Sequence, residues 1–118
     1  MAGIERLIRG GVYLARLDSA KGAEVGKLRP VVVLTGQFLL DMRPPHVFVC
    51  PLSGRSDPDY HALHLSLPAR DSLKVQSYAL VEHCRAISIR RLQSDRLAKL
   101  EIDELNEIIR RLNRLLGW

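Results

Sequence analysis

The run Arg29-Pro30-Val31-Val32-Val33-Leu34 restricts the possible folds more than any other stretch. Pro30 holds φ at about −65°, lacks an N–H, and drives the residue before it into an extended conformation. Val31 to Leu34 are β-prone, too few for a free-standing helix, and without a polar face, so they read as a central strand with little water on either side. A strand of that kind needs partners on both edges and apolar cover on both faces. Arg29 is thereby held at the mouth of a strand, where a rigid backbone can aim one guanidinium.

The rest of the chain supplies the partners. Residues 11–17 (GVYLARL) alternate as a strand after Gly10-Gly11, and residues 18–28 form a polar, glycine-bearing loop into the valine run. A loop of that length in a compact fold is often functional. QFLLDMRPP contains a helical turn ended by Pro44-Pro45. Residues 46–52 (HVFVCPL), 64–68 (HLSLP) and 75–89 (VQSYALVEHCRAISI) read as further strands, the last long enough for one bent strand or two. Five or six strands are expected. Leu105, Ile108, Ile109, Leu112, Leu115 and Leu116 then recur at helical spacing, with Asp103 as the candidate cap, Glu104 and Glu107 early, and Arg110, Arg111 and Arg114 late. Consecutive short strands followed by one terminal helix predict a mainly β fold: an antiparallel sheet curled into a small barrel, with the amphipathic helix packed on it.

At 118 residues the chain is expected to form one domain, residues 1–118. Eighteen Lys and Arg against thirteen Asp and Glu give a net charge of +5, which favours polyanionic partners, nucleic acid first. The opening MAGIERLIRGG has no apolar core of signal-peptide length, and no window approaches the roughly 20 apolar residues of a membrane span. A cytoplasmic protein is expected. Cys50 and Cys84 lie in apolar runs and read as buried free thiols. His61, His64, His83 and Cys84 lack the spacing of a closed zinc site, and alternation along a strand sets His61 and His64 on opposite faces, so no metal or other cofactor is expected.

The segments RGGVYLARLD, KGAEVGKLRPVVVLT, VCPLSG and VEHCRAISIRRL together resemble the MazF/PemK-like toxins of bacterial toxin–antitoxin systems, and the resemblance covers nearly the whole chain. It implies a Src-homology-3-like barrel of the CcdB/PemK/MazF type, a homodimer, and metal-independent, sequence-specific cleavage of single-stranded RNA. It also implies silencing by a cognate antitoxin, expected to be acidic. The resemblance places the catalytic arginine at Arg29 and a hydroxyl at Ser53, where the family usually has threonine. The residue types agree with that chemistry. An arginine fork matches phosphate geometry and strengthens as charge builds on the phosphate oxygens, and a serine hydroxyl can donate to the same group.

Glu24, Lys27, Arg55, His83 and Arg85 form the supporting or RNA-binding set. Glu24 pairs with Arg29, accepts a proton, or is a solvated loop charge; Arg85 braces the site, contacts RNA, or forms a scaffold salt bridge. His83 stands where the family often has glutamine and is either a proton carrier or a packed histidine. Gly11 stands where most members carry aspartate, so the carboxylate that follows the glycine is missing. The alternative function comes from another class: CcdB-type toxins resemble the same barrel but poison DNA gyrase without catalysis, and Gly117-Trp118 would suit a contact tail of that kind.

Overall fold

The computed structural model describes residues 6–18, 21–23 and 26–118. In chain order its elements are β1 (Gly11–Arg16), β2 (Leu28–Val33), a one-turn helix α1 (Gln37–Leu40), β3 (His46–Ser53), β4 (His64–Leu67), β5 (Ser77–Leu80), β6 (Arg85–Ser88), β7 (Ala98–Lys99) and α2 (Ile102–Leu115). Every strand pairing is antiparallel, in the order β4-β5-β3-β2-β1-β7, with β6 also on β3. The result is a curled antiparallel half-barrel with one C-terminal helix, mainly β as expected. The 75–89 segment is two strands, separated by a 3₁₀ turn at Val81–His83. The two-residue β7 was not anticipated, because a pair this short has no periodicity to detect.

The valine run behaves as its composition requires. Val31, Val32 and Val33 are fully buried, β2 pairs with β1 on one edge and with β3 on the other, and its side chains enter two different cores. Val32 joins Val12, Cys50, Leu52, Leu105 and Ile108 under α2. Val31 and Val33 join Tyr13, Ala15, Val47, Val49 and Ile87 on the opposite face. β3 is the second organiser: it takes β2 along one edge, and β6 and then β5 along the other.

α2 begins at Ile102, so Glu101 rather than Asp103 occupies the cap position, and Asp103 falls in the first turn. The Glu104 carboxylate accepts from the Glu101 backbone N–H at 2.9 Å and also receives a two-pronged grip from the Arg70 guanidinium. Leu105 and Ile108 are buried, whereas Leu115 and Leu116 are exposed, so the apolar stripe outruns the sheet that it covers. No helix among the described residues is long and apolar enough to cross a membrane.

Gly11 has a steric reason. A Cβ at this position would stand 2.8 Å from the Tyr13 ring and 2.9 Å from the Ile8 carbonyl oxygen. The Tyr13 side chain, 1% exposed, folds back across Gly11, and its hydroxyl accepts the Ile8 N–H at 3.1 Å. An aspartate therefore has no room here unless both Tyr13 and the Ile8 carbonyl move.

Two stability predictions follow from these contacts. Gly11→Asp should lower stability by about 1–3 kcal/mol, the usual cost of overpacking, as read by urea unfolding. Unchanged stability would show that Tyr13 yields freely. Bonding to Arg70, with help from the Glu101 N–H, holds the Glu104 carboxyl below its usual range against the opposing effect of burial. A depressed carboxyl contributes stability above the unfolded carboxylate range, about 4.3, and that contribution disappears as pH falls through the lower folded value. Wild type should consequently lose more of its denaturation midpoint between neutral pH and about pH 3 than Glu104→Gln does. Equal losses would remove Glu104 from the acid response.

Candidate active site at the β2–β3 mouth

The last β2–β3 rung is Val31 opposite Pro51. Neither Pro30 nor Pro51 can donate a ladder hydrogen bond, so the strands separate there. Carrying the register two residues further sets Arg29 against Ser53 on adjacent strands. Alternation also puts Arg29 on the face of Val31 and Val33, and Ser53 on the face of Val47 and Val49; these valines line one core. By that register and alternation Arg29 and Ser53 fall at the same end and on the same face, although the β2–β3 ladder itself ends at Val31 and Pro51 and Ser53 goes on to pair with Tyr78 of β5. Arg29 lies inside β2, paired with Ala15 of β1, and not merely at the strand entrance.

Both side chains are half-buried and both are tethered. The Arg29 Nε–H donates to the Gly26 carbonyl at 3.0 Å, and its terminal nitrogens meet no acceptor among the described residues. A planar fork held at Nε presents its outer edge for bidentate contact with an anion. Ser53 Oγ accepts the Arg55 backbone N–H at 3.2 Å. One lone pair is thereby occupied, and the hydroxyl proton can be donated outward.

The remaining residues of the expected set fall at different distances. Glu24 lies outside the described residues. Lys27 is exposed, with a left-handed φ of 65°, and its carbonyl accepts the Leu17 N–H at 2.8 Å. Arg55 is exposed one turn beyond Ser53. Arg85 pairs with Val49 and therefore shares the Arg29–Ser53 face, four residues short of Ser53 along the sheet, roughly 13 Å at strand rise. That separation suits a neighbouring nucleotide better than the same phosphate. Arg85 makes no ion pair among the described residues. His83 is half-buried, with Nε2 4.0 Å from Glu82 Oε2.

Sequence reading missed a buried polar chain beside this site. His64 Nδ1 lies 2.9 Å from Ser56 Oγ, and His64 Nε2 lies 2.6 Å from Glu82 Oε2. His61 is not on a strand at all; it follows a 3₁₀ turn, with Nδ1 3.1 Å from the Pro58 carbonyl. No group of three or more His, Cys, Asp or Glu among the described residues is arranged to hold a metal ion. The one signal available was the His64↔Leu80 pairing, which sets His64 near Glu82, and a register is not visible before strands are matched.

Cys50 is buried and Cys84 only half-buried, both as free thiols. Hydrogen bonding to Cys84, reinforced by burial, pushes the Cys50 thiol well above its usual range, so at neutral pH it is a neutral packing group. The Trp118 side chain is 92% exposed and does not pack back on the sheet.

Comparison with known proteins identifies the family of the fold. Residues 8–116 match the family described as PemK-like, MazF-like toxin of type II toxin-antitoxin system. The chain is 30% identical over 110 residues to Endoribonuclease MazF of Staphylococcus saprophyticus, covering 92% of this chain and 90% of that protein. The crystal structure of MazF from Deinococcus radiodurans superposes with a TM-score of 0.82 at 25% identity, over 97% of this chain and 99% of the other. A MazE-MazF structure from the same organism superposes with a TM-score of 0.75 at 25% identity, over 96% and 97% of the two chains. A mycobacterial endoribonuclease with its cognate antitoxin, 16% identical with a TM-score of 0.72 over 94% and 95% of the chains, shares the fold. With a family match spanning almost its whole length and the same half-barrel, the chain belongs to the PemK-like, MazF-like toxins of type II toxin–antitoxin systems.

Proposed function

We propose that the chain is a toxin-class endoribonuclease that cuts single-stranded RNA at specific sequences without a metal ion. What supports it is the register that sets Arg29 and Ser53 toward one face at the open β2–β3 end, each tethered at one atom and with outer donors that meet no acceptor among the described residues. In the reaction, the ribose 2′-oxygen forms a bond to the adjacent phosphorus, the bond from phosphorus to the 5′-oxygen breaks, and the proton lost from the 2′-OH is balanced by one gained at the 5′-oxygen. The products are a 2′,3′-cyclic phosphate and a 5′-hydroxyl. Arg29 neutralises charge growing on the non-bridging oxygens, and Ser53 donates to one of them. Lys27, Arg55 and Arg85 lie along the path of flanking phosphates, and the net charge of +5 favours that polyanion. Glu24 is retained as an ion-pair partner of Arg29 or as a proton acceptor in the reaction, and His83 as a supporting residue.

Kinship supports this reading, since a relative of 30% identity is named an endoribonuclease and solved relatives are MazF toxins. The gyrase-poison alternative is not favoured by those relatives. The natural partner is a cognate acidic antitoxin; the mycobacterial endoribonuclease solved with its cognate antitoxin and the D. radiodurans MazE-MazF structure support such a partner. The working form is a cytoplasmic homodimer of single toxin domains.

Cleavage should proceed in EDTA and leave the cyclic phosphate and 5′-hydroxyl, while RNA carrying 2′-deoxy or 2′-O-methyl at the scissile nucleotide should survive. Cutting of that modified bond would rule out 2′-OH attack. Arg29→Lys keeps the charge but loses the fork, so it should bind a non-cleavable RNA within about threefold of wild type while its rate falls on the order of a hundredfold. Ser53→Ala should fall less, roughly ten- to a hundredfold. A lysine variant at near wild-type rate would show that bulk positive charge suffices.

A further inference from the structure

His64 is 8% exposed, yet both of its ring nitrogens are engaged. An ionised carboxylate can only accept, so with Glu82 ionised the proton facing it belongs to Nε2, and this bond fixes the orientation of the ring. Nδ1 is then committed to the Ser56 hydroxyl. The backbone is braced as well: the Arg111 guanidinium donates to the His64 carbonyl at 2.9 Å, and Glu107 holds Arg111 at 2.7 Å.

Such a chain is costly to bury. Glu82 Oε1 is buried without a partner among the described residues, and apolar side chains in the same space would avoid that penalty. What the chain does hold is the short turn that begins at Ser53. One end of that turn is fixed by the Ser53↔Tyr78 pairing at the end of β3. Its other end is fixed by the bond between Ser56 and His64. Between them, the Arg55 N–H bond to Ser53 Oγ orients the hydroxyl. That bond exists only while residues 53–56 keep this conformation.

We infer that His64, locked by Glu82, is a positioning residue for RNA cleavage: through Ser56 it holds the Ser53–Ser56 turn, so that the Ser53 hydroxyl points at the phosphate. The inference rests on the reading of Ser53 as a donor to that phosphate. Small displacements at such a group cost rate more than affinity. Ser56 is not itself required to touch RNA.

The test uses the full chain with Ser56→Ala, Ser56→Thr, Glu82→Gln and the Ser56→Ala/Glu82→Gln pair, because replacing the buried His64 itself risks the fold. Single-turnover cleavage of an RNA oligonucleotide, KM, thermal midpoint and amide hydrogen exchange are measured on each. Ser56→Ala should lose about tenfold in rate with KM within about twofold and an unchanged midpoint, and Ser56→Thr should recover most of the rate. The double variant should be no slower than the slower single one, since both act through one imidazole. The Arg55 amide, which donates to Ser53 Oγ, should exchange faster in Ser56→Ala and Glu82→Gln, while that of Val49 stays protected. Additive losses, a full rate in Ser56→Ala, or loss of rate only in step with the midpoint would overturn the positioning role. Unchanged exchange at Arg55 with normal wild-type cleavage would overturn the clamp alone, whereas a wild type inert toward RNA would overturn the nuclease reading and the role in cleavage with it.

Discussion

Complete burial of Val31, Val32 and Val33 on both faces of β2 is the constraint from which the rest of the structure follows. A strand with no wet face cannot sit at an edge, so β1 and β3 must flank it, and neither of its cores can be left open. One core is closed by α2, the other by the inward residues of β1, β3 and β6. The site depends on the same strand. Pro30 and Pro51 end the β2–β3 ladder just where the apolar run gives way to Arg29, and the opening that results is lined by backbone rigid enough to hold two tethered side chains.

Arg29 drew attention in the sequence through the proline that sets it before the valine run, whereas Ser53 was singled out only by the family resemblance. Their shared face was not legible from either segment alone; it depends on the Val31–Pro51 register. The Ser56, His64 and Glu82 chain was invisible for a related reason. Its outer members stand 26 residues apart and meet only through the β4–β5 pairing, so neither composition nor spacing marks them. The reading of His61 and His64 as alternating on one strand failed because a 3₁₀ turn intervenes before β4 begins. The strength of α2 was plain from its apolar period, yet its first turn was placed late: the carboxylate that closes the helix start belongs to Glu104, whose reach back to Glu101 is a side-chain matter.

The polar groups fall into two kinds. Glu107 with Arg110, and Arg16 with Asp18, are wet pairs whose worth is small and salt-sensitive. Arg70 with Glu104, and His64 with Glu82, are largely withdrawn from water, and each joins segments far apart in sequence. Removing one member of a pair of this second kind leaves the other stranded, which is why their geometry is held so closely.

The Tyr13 ring lying across Gly11 links the histories of two positions. An aspartate at 11 meets both the Tyr13 ring and the Ile8 carbonyl, and shrinking the fully packed tyrosine to relieve the first contact opens a cavity against β2 and β6. Either order passes through a less stable intermediate. Positions 11 and 13 are therefore coupled, so their combined replacement should not cost the sum of the two single changes.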